Sequence, residues 1–342
     1  MKTTQNELAM QTNRYDIAAW LLIGVAMLFI LAVHLLPALL AGLLVYELVH
    51  IITPYIERKI PKHNAKLYAL AFLVIIIVSL LTLAGAGMVA FFRSESGSLT
   101  VLLAKMAQIL EDSRKILPAW VLAHLPVDAI TFKAQAAEWL RIHVSDLQGV
   151  GKEAGRVTAQ ILIGMIIGGI VALRDAAYDD HFQPFAHALV QRTALFGDAF
   201  RRVVFAQVRI AAINATFTGI YLAVVLPVLG VHLPLIKTLI AITFVLGMIP
   251  VVGNLISNSI IVVVSLSQSL AVAIGSLLYL VVIHKFEYFL NARIVGDKIR
   301  AHAWELLIAM LAMEAAFGIA GVVAAPIYYA YIKSELRAKN LV

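Results

Sequence analysis

The chain contains no cysteine, so disulfides, thiolate nucleophiles and thiolate metal ligands are excluded, and the redox compartment leaves no trace in it. Charge is scarce too: Asp, Glu, Lys and Arg make up 14% of the 342 residues, against about 25% in an ordinary soluble domain. A soluble fold covers itself with polar groups, and this chain has too few. Catalytic signatures are missing as well. There is no HExxH pair, GxSxG elbow, Walker loop or GxGxxG turn. These absences argue against an enzyme, a catalytic residue set, a bound metal or a cofactor. Transport by such a chain would draw on a gradient, not on ATP hydrolysed by it.

Apolar surface is abundant instead. Hydrophobic residues are 62% of the chain, and the mean hydropathy is +0.91. Lipid is the solvent that accounts for these values. The formal charge of +7 sits in short basic segments flanking apolar runs. That placement reads as membrane topology and contact with anionic headgroups, not as a nucleic-acid surface. Met1 to Asp16 is polar, with Lys2 and Arg14, and no small-residue cleavage site follows the first apolar run, which is therefore expected to stay as a span.

A spanning helix needs roughly 20 apolar residues. No charge occurs between Asp16 and Glu47, and apolar text continues to Ile56, which predicts two helices turning near His34–Pro37. The following loop, with Arg58, Lys59, Lys62 and Lys66, belongs inside. A third span is expected over about 67–92, a fourth over 157–173 and a fifth over 210–229. Residues 93–156 mix acidic and basic side chains in near balance and read as a small helical extramembrane insert on the outer side. The domain organisation expected is 1–92 as N-terminal membrane helices, 93–156 as the insert, and 157–342 as a C-terminal transport core.

Between Lys237 and Lys285 there is no Lys, Arg, Asp or Glu, over a length suited to two membrane passes. The basic segment Lys285–Arg300 and the tail with Lys333, Arg337 and Lys339 both belong inside. Plain spans place one of them outside. Two re-entrant hairpins keep both inside: 238–266, broken at Pro250–Gly253, and 304–332, broken at Phe317–Gly321. The expected fold is an all-α polytopic membrane protein with about six full spans and two broken hairpins. Eight plain spans is the alternative. Both termini then lie in the cytoplasm.

Broken helices near the midplane offer backbone groups and dipoles to a solute. The candidate path residues are therefore Pro250, Gly253, Asn254, Ser257 and Asn258 at one break and Gly318 and Gly321 at the other. Glu314 joins them as an acid within apolar text, and Glu47 and Glu305 are secondary candidates, since an ionisable group at membrane depth is costly. The bland alternatives are kinks, tight packing, an internal hydrogen bond for Glu314, and interfacial snorkelling for Glu47 and Glu305.

Four passages, in order, resemble the autoinducer-2 exporter family, the PerM-like permeases. They are Phe205–Gly219 (FAQVRIAAINATFTG), Phe244–Gly253 (FVLGMIPVVG, similar to the family's IPyiG signature), Asn291–Gly296 (NARIVG) and Ala316–Pro326 (AFGIAGVVAAP). Ala292 stands where the family usually has proline, and the text Ala301–Glu305 also departs from its pattern. The resemblance implies a transporter of a small polar solute or signalling molecule in the bacterial plasma membrane. It also implies a homo-oligomer, with a pentamer the assembly expected, in contact with membrane lipid. Some relatives resemble cation/proton antiporters, so coupling to protons or sodium stays open, with Glu314 as carrier. A non-transporting membrane scaffold or envelope-maintenance protein is the remaining alternative.

Overall fold

The computed structural model describes residues 14–93, 144–174, 183–249, 252–266, 268–299 and 302–341, together with Glu138 and Ile142. Most of the expected insert lies outside the described residues, as does Pro250. Every regular element among the described residues is helical. Their order is α1 (Arg14–Ala32), α2 (Leu36–Ile56), α3 (Lys62–Arg93), α4 (Val144–Leu173), α5 (Pro184–Ile220), α6 (Ile236–Gly247), α7 (Val252–Leu266), α8 (Leu270–Ile299) and α9 (Ala303–Ala338). The protein is a polytopic all-α membrane protein.

The turn between α1 and α2 follows from local chemistry. His34 takes a left-handed conformation (φ 59°), and Pro37 enters α2 in its first turn, where a missing N–H costs no helical bond. α1 is apolar all round and leaves Leu21, Leu22, Val25, Leu28 and Phe29 on the outside, a surface suited to lipid. α5 starts well before the fifth apolar run, so Arg192, Arg201, Arg202 and Arg209 all lie on a helix. Near its far end α5 widens into a π-helical turn, Tyr221–Val225, in which the Leu226 N–H donates to the Tyr221 carbonyl. Pro227 explains the widening: it has no N–H, and its ring crowds the carbonyl four residues earlier.

Both expected helix breaks are present. α6 and α7 pack together on either side of a short turn. A Cβ on Gly253 would overlap the Leu246 carbonyl, so the two limbs touch through backbone. α9 turns at Gly318, whose φ of 61° and ψ of −145° lie in a region open essentially to glycine alone. Gly321 then packs on the Met313 carbonyl, where any Cβ would overlap. At the base of the same hairpin, Lys333 Nζ lies 2.7 Å from Glu305 Oε2. In a straight helix residues so far apart would be separated by about 40 Å. α9 is long and apolar enough for a single span, yet these contacts make it two antiparallel limbs. Among the described residues the architecture is six long helices and two hairpins.

The chain forms two compact units. Unit 1 comprises Met1–Leu73, Arg156–Phe205 and Val295–Val342. Its core packs Met27 and Leu31 of α1 and Leu36 of α2 against Phe196 and Phe200 of α5 and Tyr328 and Tyr331 of α9. The Tyr328 hydroxyl donates to the Met27 carbonyl, so a polar group inside the core is satisfied. α2 and α4 cross at backbone contact: a Cβ on Gly164 would overlap the Ala38 carbonyl, and one on Gly168 the Gly42 carbonyl. In lipid there is no hydrophobic force between apolar helices, so close packing of small residues supplies the attraction.

An ionic cluster ties α1, α5 and α9 together in the same unit. Arg192 is 1% exposed, donates to Asp16 at 2.7 Å and to the Ala188 carbonyl at 2.8 Å, and lies 3.8 Å from Glu335. Trp20 Nε1 and the Tyr331 hydroxyl donate to Glu335, and Lys339 pairs with Asp16. The two acids and two bases cancel, which lets the guanidinium stay buried.

Unit 2 comprises Val74–Gly155 and Ala206–Ile294. Its core is Tyr221, Leu222, Leu226, Leu233, Leu239, Ile261 and Leu280, drawn from the end of α5, the segment that follows it, the α6–α7 hairpin and α8.

Candidate functional site: a polar seam beside a broken helix

The break after Gly247 strands a carbonyl that a continuing helix would have used. Gln207 on α5 supplies the missing donor, its Nε2 lying 2.9 Å from the Gly247 oxygen. One turn into α7, Asn254 is 2% exposed and accepts from Asn214 Nδ2 of α5 at 3.0 Å. Its Oδ1 also lies beside Gly247, 3.3 Å from the position a Cβ there would take. Two amide side chains from α5 thus converge on the tip of the hairpin.

The polar line continues along both helices. Thr218, one turn beyond Asn214, is fully buried, and its hydroxyl has no partner among the described residues. The other buried threonines among the described residues, Thr53 and Thr243, donate to the carbonyl four residues back, which Thr218 does not. Farther on, the Tyr221 hydroxyl bonds Ser276 of α8 at 3.0 Å, and Ser276 bonds Ser265 of α7 at 2.8 Å. The Tyr221 ring stacks on Tyr279, whose hydroxyl donates to the Phe217 carbonyl.

Gln207, Asn214, Thr218 and Tyr221 recur at the spacing of one helix face, as do Asn254, Ser257 and Ser265 on α7. The result is a buried seam of amides and hydroxyls inside unit 2. None of these groups is ionised, and together they offer both donors and acceptors. The seam is equipped to hold a neutral hydrogen-bonding group.

Of the residues singled out in the sequence, Gly253, Asn254 and Ser257 are buried in this seam, with Ser257 donating to the Asn254 carbonyl. Asn258, the next residue, is half-buried. Gly318 and Gly321 form the tip of the other hairpin, in unit 1. Glu314 stands beside that tip, with its side chain exposed. Met313 faces the unit 1 core, and a helical step of about 100° carries the next residue outward. Among the described residues Glu314 makes no ion pair.

Glu47 is buried on α2, its carboxylate against Gly197 of α5, with Arg201 as the nearest cation at 3.9 Å. Glu305 belongs to the clasp at the base of α9, paired with Lys333 and accepting from the Tyr329 hydroxyl.

Sequence reasoning missed Gln207, Asn214, Thr218, Tyr221, Ser265 and Ser276. The signal that finds them is polar residues at intervals of three, four and seven along otherwise apolar helices. Residues 17–340 match the profile of the AI-2E family transporters. No curated protein matches the chain, and no solved structure does.

Proposed function

The chain belongs to the AI-2E transporter family and is a multi-pass membrane transporter, and from that premise we propose that the unit 2 seam is its solute path. The supporting observation is the meeting of Gln207, Asn214 and Asn254 at the broken end of α6. Lipid-buried polar groups cost free energy unless paired or put to use. A helix break adds backbone carbonyls and amides at the same place, as in the sites of many secondary transporters.

In this reading a small polar solute replaces internal hydrogen bonds of the seam one at a time, and the flux is facilitative or gradient-driven. The orphan hydroxyl of Thr218 supports such an occupant, since it has a bond to give and no taker. The protein would act as a homo-oligomer in a bacterial inner membrane, with both termini in the cytoplasm by the positive-inside rule. Proteoliposomes test it. Asn254→Ala and Asn214→Ala should each abolish uptake of a transported solute, with folding intact, whereas unaltered flux in both variants rules the seam out as the path.

A second reading, cation/proton exchange, is favoured by two acids: exposed Glu314 beside the α9 tip and buried Glu47 with only a distant cation. Glu314→Gln should then remove pH-dependent flux, and unchanged pH dependence eliminates this version of exchange.

A further inference from the structure

Arg202 is a half-buried base of unit 1 with no acid paired to it among the described residues. Arg192 has Asp16 and Glu335, Lys333 has Glu305, Lys339 has Asp16, and Arg201 has Asp198 at 2.8 Å with Glu47 beyond. Arg202 has only a neutral neighbour: its Nη2 donates to Ser334 Oγ at 2.8 Å. That hydroxyl spends its own hydrogen on the Ala330 carbonyl. The Nε of Arg202 is buried and makes no hydrogen bond. The guanidinium therefore has no acid beside it among the described residues, and a partly covered charge favours a counter-charge.

We propose that an anionic phospholipid supplies the missing charge, its headgroup phosphate seated beside the half-buried guanidinium of Arg202. The chemistry fits: a planar fork of donors suits a phosphate better than any other side chain does. The surroundings fit too. Arg202 lies next to Arg201, whose side chain is 51% exposed, and Ser334 lies between Lys333 and Arg337 on the last turns of α9. Lys333 and Arg337 lie on the last turns of α9, and Arg201 and Arg202 precede the apolar run of α5. Basic residues that border apolar runs mark the headgroup level of the inner leaflet, where anionic lipids attract Lys and Arg. Exposed apolar residues flank the same stretch, with Ile332 51% and Leu336 37% exposed, so acyl chains have a surface to follow. The site lies in unit 1, and its occupancy stabilises unit 1 irrespective of what is transported.

The full-length protein in nanodiscs provides the test, with native mass spectrometry and thermal unfolding as readouts. Wild type in phosphatidylglycerol should keep bound lipid after release from the disc. Its midpoint should lie above that in phosphatidylcholine by roughly 2–4 °C. Arg202→Gln should lose both the retained lipid and the phosphatidylglycerol-specific shift. Arg202→Lys should keep a smaller shift, and it carries the test if the Gln variant does not fold. Arg201→Gln, which removes an exposed base already paired to Asp198, should keep the shift in full. Inorganic phosphate added to phosphatidylcholine discs separates the sources: an Arg202-dependent shift there assigns the site to a soluble phosphate. A phosphatidylglycerol shift that survives in Arg202→Gln, or no difference between the two lipids in wild type, overturns the proposal.

Discussion

Glu305 and Lys333 stand 28 positions apart in the chain, yet their charged atoms lie 2.7 Å from each other. That ion pair closes the base of a hairpin whose tip is Gly318, and the Tyr329 hydroxyl joins it from the same limb. Both charged side chains are mostly covered, with 11% and 15% exposure, so solvent screens them less than it would a surface pair. Lys333→Met should therefore lower the midpoint of thermal unfolding and loosen the α9 hairpin. The swap Glu305→Lys with Lys333→Glu should recover most of that loss. Since the chain has no cysteine of its own, spin labels at introduced cysteines on the two limbs report the opening directly. Limbs that keep their spacing in Lys333→Met would show that the clasp is dispensable.

Gly318 and Gly321 resist substitution for different reasons. Gly318→Ala forces a side chain into the positive-φ region, at a cost of about 1–3 kcal/mol. Gly321→Ala drives a Cβ into the Met313 carbonyl and should be at least as damaging. Gly275→Ala is the control. It is helical and meets nothing within 4 Å, so the exchange should be neutral or stabilising by up to about 1 kcal/mol. Thermal melts of the three variants rank the positions.

Asn214 and Asn254 should be energetically coupled. Interhelical hydrogen bonds in membrane proteins are worth about 0.6–2 kcal/mol. Each alanine variant should lose that much, and the double variant should lose little more than either alone. Additive losses in the double-mutant cycle would mean that the amides do not depend on each other.

Arg192→Met strands Glu335 in a buried site and leaves Asp16 with Lys339 alone, and the loss should be on the order of 3 kcal/mol. Adding Glu335→Gln removes the stranded charge and should restore much of the stability. Detergent-resistant folded yield distinguishes the two variants.

The two breaks were legible because their chemistry is local. Pro250 and Gly253, and Gly318 and Gly321, cannot continue a helix smoothly, and the requirement that basic loops stay inside gave the breaks a topological meaning. The polar face of α5 was harder to see. Gln207, Asn214 and Thr218 gain significance only once Gly247 and Asn254 are known to lie opposite them. The Glu305–Lys333 clasp needs the hairpin before it can be drawn at all. Glu314 stands within apolar text, but the direction of its side chain depends on which way the helix is rotated. With Met313 turned inward, Glu314 points out.

The crossing of α2 and α4 has a consequence for how the protein is made. Gly42 leaves the ribosome about 120 residues before Gly164, and at 5–20 residues per second that interval is roughly 6–24 s. Throughout it, the face carrying Ala38 and Gly42 is in the bilayer without its partner helix. Small side chains suit that wait: they present little surface for a wrong partner to grip, yet they let α4 settle against the backbone once it inserts. The order of synthesis thus favours a face that binds weakly to everything except the helix shaped to reach it.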